Sequence, residues 1–233
     1  MKTKLLFSLL GGLFASSIAF AGIPEDITAK FPQAVGAKIS PAFSNFWSVV
    51  KGDEVIYVSD DLKYFISGNV IEAETQKNLT QALAEANRPK VKISELKLKD
   101  AIKVRDGGSG AKKIYVFSDP ECPYCQRLEK SFDQLKNITV YVFPMPLASL
   151  HPSAPAISES AWCAKDQGKA WHDYVANNVE IAPAKCDNPI ERNLAIAAKY
   201  QIRGTPAIVF EDGTIVPGAI TAREIQARAD KAK

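Results

Sequence analysis

The residues best suited to covalent chemistry in this 233-residue sequence are Cys122 and Cys125, set three apart in Cys122-Pro123-Tyr124-Cys125. A thiol reacts as its thiolate, so its chemistry depends on what lowers a pKa of about 8.5. The pair follows a short apolar run, 114–118, and opens a helical stretch that the pattern carries through Leu135. Unpaired amides and the positive end of a helix would stabilise a thiolate at Cys122. The spacing places the Cys125 thiol one turn away, within reach for closing a disulfide or releasing a trapped partner. Pro123 at a first helical turn removes no hydrogen bond, and with Tyr124 it stands between the thiols, where it would tune them. The arrangement reads as a redox-active dithiol. The alternatives are a structural disulfide or half of a zinc site. Zinc would need two more ligands, but Cys163 and Cys186 do not form a second pair of this spacing, and His151 and His172 are isolated. Neither a metal nor an organic cofactor is expected.

Cys163 and Cys186 are the other even pair. They read as a structural disulfide across a helical insert, with a second redox pair as the alternative. Closing such a loop stabilises by about 3 kcal/mol on the chain-entropy account. His151, His172, Trp162 and Trp171 read as surface or packing residues. Glu121, next to Cys122, would oppose a thiolate there.

The elements that must position this chemistry begin with an address. Lys2 and Lys4, an apolar run over 5–14 and Ala19-Phe20-Ala21 read as a secretory leader over 1–21, cleaved near Ala21. The run is too short to span a bilayer of about 20 residues. The expected compartment is an oxidising periplasm, where cysteines pair. Composition is that of a globular protein, 46% hydrophobic and 24% charged. The formal charge of +3 falls to near neutrality once Lys2 and Lys4 are removed, so nothing electrostatic points to nucleic acid.

The chain divides by pattern into a small β-rich unit over 22–74, a linker over 75–106 and an α/β unit over 107–233. Runs over 45–51, 54–59 and 63–71 read as strands separated by turn residues, and 75–87 as a helix stopped by Pro89. The lysine-rich stretch 91–105 reads as a connector, with the loop 105–110 as a domain boundary. Beyond it the order is strand, helix, strand over 137–143, an alanine-rich helical region over 145–200, a hairpin over 206–217, and a helix opened by a Thr221/Glu224 capping box.

Three segments carry a family likeness: 117–125 around the cysteine pair, Trp162-Cys163-Ala164-Lys165-Asp166, and Gly204-Thr205-Pro206-Ala207, with the hairpin 210–218 also similar. They resemble the DsbC/DsbG family of periplasmic disulfide isomerases, and most its DsbC branch, although Pro123-Tyr124 is more like DsbG. The resemblance implies an α+β and α/β fold: an N-terminal dimerisation domain, a linker helix and a thioredoxin-like domain with a helical insertion. It implies a homodimer around an apolar cleft and a cis Thr205–Pro206 bond against the cysteines as a substrate-binding loop. It also implies misfolded disulfide-containing exported proteins as substrates and a membrane reductase of the DsbD type as electron source. The expected activity is disulfide isomerisation or reduction. The alternatives are a DsbG-like reductase of sulfenylated cysteines and a dimeric chaperone with a minor redox role.

Overall fold

Helix α1 (Ile23–Lys30) leads into an antiparallel sheet in the order β1 (Lys38–Pro41), β2 (Phe46–Lys51), β3 (Glu54–Ser59) and β4 (Phe65–Ser67). The computed structural model describes residues 23–232, and the expected leader lies outside them. Strands β2 and β3 turn on Gly52-Asp53, with Lys51 paired to Glu54 and Gly52 at φ +64°. A two-residue hairpin loop of this hand needs positive φ, which glycine adopts without strain. Both faces of the sheet are covered. Val49 and Val58 pack with Ile27 of α1, while Val50, Val55 and Tyr57 pack under Leu83 of α2 (Leu79–Asn87). Helix α2 starts at Leu79 rather than near residue 75 because the Asn78 side chain accepts a hydrogen bond from the Gln81 amide at 2.9 Å. It stops before Arg88, whose extended backbone is what a following proline favours.

The second sheet has the order β5-β7-β6-β8-β9. Its centre is β6 (Lys112–Ser118), parallel to β7 (Ile138–Pro144) and antiparallel to β8 (Ala207–Phe210). The edges are β5 (Ile102–Arg105) and β9 (Ile215–Pro217), antiparallel to β7 and β8 respectively. Strands β6 and β7 are almost wholly buried, as unbroken apolar runs must be when helices cover both sheet faces. One face is packed by α3 (Pro123–Ser131), α5 (Gln167–Asn177) and α7 (Ala222–Lys231), through Leu128, Trp171 and Ile225. The other is packed by α6 (Ile190–Lys199) together with Val91 and Leu96. The Thr221 capping box at the start of α7 forms in both directions.

Three expectations change. The connector over 91–105 is part of the second unit: Val91, Leu96 and Ile102 are buried, and Ile102–Arg105 is strand β5. The linker expected over 75–106 therefore does not extend to its stated end, and the loop near 107 joins two strands of one sheet. The lysines of the 91–105 stretch point to solvent, while Val91, Leu96 and Ile102 face a core whose other half lies far along the chain. Residues 145–200 are not one helical run but α4 (Ala154–Cys163), α5 and α6, with an irregular segment over 178–189. Helix α1 and strand β1 were not expected at all, because neither stretch carries a strong apolar period.

The two units touch around α2 and the β8–β9 hairpin. Arg88 Nη2 lies 2.9 Å from Asp53 Oδ2, and its Nη1 donates to the Ile215 carbonyl at 3.3 Å. Within the second unit, Val91 N–H donates to Gly213 O at 2.8 Å. Gly213 has φ +81°, and a Cβ there would stand 2.4 Å from the Val91 carbonyl oxygen.

Candidate active site

Strand β6 ends at Ser118, the chain turns through Asp119-Pro120-Glu121, and Cys122 takes the extended N-cap position of α3. Both thiols are free and buried, Cys122 at 6% exposure and Cys125 at 1%. The Cys122 thiol is the outer one. Its Sγ donates to the Thr205 carbonyl at 3.5 Å, and the Thr205–Pro206 peptide bond is cis. Cys125 sits one turn into the helix, where the Asp119 amide donates to its sulfur at 3.5 Å.

The two thiols differ sharply in acidity. Cys122 is lowered to about 5, first by a hydrogen bond from the Cys125 thiol and then by the amides of Cys125 and Tyr124 and the Thr205 side chain, against a burial cost. The Thr205 hydroxyl is buried and has no other partner, which leaves it available as a donor. Cys125 is pushed up, first by burial and then by sharing its proton with Cys122. The arrangement therefore holds one ready nucleophile and one protonated thiol behind it. Tyr124, 57% exposed, projects beside them with the Arg127 guanidinium 5.5 Å from its ring centroid.

Asp119 organises the turn beneath the thiols. Fully buried, it accepts from the Glu121 amide at 2.8 Å through Oδ1 and from the Leu147 amide at 2.6 Å through Oδ2. His151 Nδ1 lies 3.1 Å from the same Oδ2, in ion-pair range although not aligned as a hydrogen bond. A second buried carboxylate, Glu129 on α3, lies 3.1 Å from His172 of α5. Burial raises Glu129, and the carboxylate in turn raises His172. The sequence reads both histidines only as surface or packing residues. Each meets its carboxylate only through folding, His151 from the turn after β7 and His172 from the insert. Among the described residues no group of three or more His, Cys, Asp or Glu side chains is placed to hold a metal ion.

Cys163 and Cys186 are joined in a disulfide, far from the dithiol in sequence. Cys163 ends α4, but Cys186 lies in the irregular segment rather than in a helix. The Trp162 indole donates to the Asp187 carbonyl at 3.0 Å beside it, and Trp171 is fully buried in the core.

This geometry, a buried dithiol at a strand-to-helix turn facing a cis-proline loop, can now be set beside known proteins. Residues 98–233 match the family described as thioredoxin-like domain, and residues 16–81 the disulfide bond isomerase protein N-terminal domain. The thiol:disulfide interchange protein DsbC of Salmonella typhimurium is 30% identical over 240 residues, covering 99% of this chain and 96% of that protein. The chain belongs to the DsbC family. A probable thiol:disulfide interchange protein DsbC of Bordetella pertussis is 34% identical over 177 residues, 76% of this chain. That match spans 62% of the Bordetella protein's length. A solved disulfide interchange protein from Neisseria gonorrhoeae has a TM-score of 0.55 at 36% identity, covering 58% of this chain and 97% of that one. The N-terminal sheet lies within the matched stretch 16–81 and the dithiol within 98–233.

Proposed function

We propose that the protein is a disulfide isomerase and reductase acting on exported proteins through Cys122 and Cys125. The observation that carries this reading is the split between an acidic outer thiol at the helix N-cap and a buried, protonated thiol one turn behind it. The Cys122 thiolate attacks one sulfur of a wrong substrate disulfide; the substrate S–S bond breaks and its other sulfur leaves as a thiolate. The mixed disulfide resolves in one of two ways. A second substrate thiolate attacks the substrate sulfur and expels Cys122 as a thiolate, which is isomerisation without net redox change. Otherwise Cys125, once deprotonated, attacks Cys122 Sγ, closing Cys122–Cys125 and releasing the substrate as a dithiol.

The second route oxidises the enzyme by two electrons, so a thiol reductant of the DsbD type must restore it. Thr205 and Pro206 face the reacting sulfur and would seat the substrate backbone, while Pro123 and the exposed Tyr124 tune the pair. Cys163–Cys186 is the structural bridge. The reading includes a periplasmic location after leader cleavage near Ala21, and pairing of two chains through residues 22–74. Pairing is supported by the small core of that unit, which is marginal for about 50 residues alone, and by the exposed Tyr64 and Phe65 at its β4 edge.

Refolding of a scrambled multi-disulfide protein tests the reading, with wild type compared against Cys122→Ser. Recovery of native pairing by wild type alone supports it. Equal recovery by both would leave a chaperone. Reduction of a sulfenylated single-cysteine protein without isomerisation would favour the DsbG-like activity suggested by Pro123.

A further inference from the structure

His151 stands where no sequence pattern announced it, and resting on the dithiol chemistry just proposed, its placement extends that site. The turn after β7 is held by hydrogen bonds from the Leu150 and His151 amides to the Leu147 carbonyl, both at 2.9 Å. The Ala154 amide donates to the His151 carbonyl at 3.1 Å. These contacts aim the ring at Asp119, the fully buried carboxylate whose own amide touches Cys125 Sγ. The Asp119 carbonyl also accepts from the Cys122 amide at 3.3 Å, so one residue contacts both halves of the dithiol and the histidine. Close by, one carboxylate oxygen of Glu121, Oε2, is buried without a partner.

The two carboxylates of the turn that leads into Cys122, those of Asp119 and Glu121, would disfavour a thiolate there unless a positive charge offset them. Among the described residues, the only cationic side chain in contact with Asp119 is His151. We propose that His151, held by Asp119, is a positioning residue for the disulfide exchange: its imidazolium offsets the carboxylates under the dithiol and so supports the Cys122 thiolate. The ring is raised above its ordinary value chiefly by Asp119, with Cys122 and Glu121 acting the same way from further off. Tyr174 of α5 also faces this cluster, its phenol pushed up by burial and by Glu121 and Asp119. It is neutral near pH 7 and supplies no counter-charge.

Binding linkage makes the interaction reciprocal: whatever His151 does for the thiolate, the thiolate does for the imidazolium. The test needs no loss of fold. Nuclear magnetic resonance titration follows the two imidazoles of the full chain, oxidised and reduced, with His151 assigned by the signal missing in His151→Gln. The His151 midpoint should lie higher in the reduced protein, where Cys122 is a thiolate, by about half a unit to one unit. In parallel, the pH dependence of Cys122 alkylation should shift up by a similar amount in His151→Gln, and its dithiol potential should become more reducing. Equal His151 midpoints in the two redox states would overturn the proposal, as would an unmoved Cys122 midpoint in a folded His151→Gln. Neither readout depends on isomerase turnover. A reciprocal shift combined with failure in the scrambled-protein assay would remove the isomerase reading and leave this one standing.

Discussion

Replacing Cys125 by alanine removes the largest single influence on Cys122, the hydrogen bond from the inner thiol. A hydrogen bond to a charged group contributes about 1.5–3 kcal/mol, which is about one to two pH units at 1.36 kcal/mol per unit. The amides of Cys125 and Tyr124 and the Thr205 side chain remain. Solvent entering the vacated space replaces part of the lost bond, so the net rise should be about one unit, from about 5 to about 6. At pH 7 both proteins would then be more than about 90% thiolate, and trapping of clients by Cys125→Ala should be efficient. At pH 5.5 the thiolate fraction falls about threefold, from roughly three-quarters to roughly one-quarter. Alkylation rates of Cys122 across pH 4–8, read by mass spectrometry, measure this. A midpoint unmoved by the substitution would assign the thiolate to the backbone amides alone. A wild-type midpoint near that of an ordinary thiol would refute the reasoning altogether.

Cys122 is an acid with a depressed folded midpoint. It therefore stabilises the reduced fold fully above its ordinary value of 9.0, and that contribution is lost as pH falls toward 5. Relative to Cys122→Ala, reduced protein should gain about 1–2 kcal/mol between pH 5 and pH 7 after discounting for solvent screening, measured by denaturant midpoints. A chain beginning at 107 lacks β5 and the buried Val91, Leu96 and Ile102. It should aggregate, whereas one beginning at Lys90 should sediment as a folded monomer that reduces simple disulfides but isomerises poorly. Full isomerase activity in that monomer would remove the N-terminal unit from the mechanism. The Asn193 amide donates to the Asp100 and Pro144 carbonyls at 3.1 and 3.3 Å inside the core. Asn193→Ala should cost about 2 kcal/mol in urea denaturation, because two buried acceptors lose their donor.

Much of this protein is written in local chemistry. The cysteine pair at a strand-to-helix turn, Pro123 in the first helical turn, the Thr221/Glu224 box and Gly52-Asp53 each act within a few residues. Their physics was therefore legible before any fold was known. The same holds for β6 and β7, whose unbroken apolar runs can only be buried on both faces. Strand β5 shows where this stops. Ile102–Arg105 is too short and too lysine-flanked to declare itself, and becomes a strand only because the edge of β7 offers hydrogen bonds and the core accepts Ile102. Cys186 lies between Pro183 and Asn188-Pro189, loop signals that the reading of 145–200 as helical passed over. Above all, the acidity of Cys122 depends in part on the side chain of Thr205, 83 residues away. His151 reaches Asp119, 32 positions away in sequence, in the same way. Electrostatic fields act through space and carry no period along the chain, so only the tertiary structure could decide which charges surround the thiols.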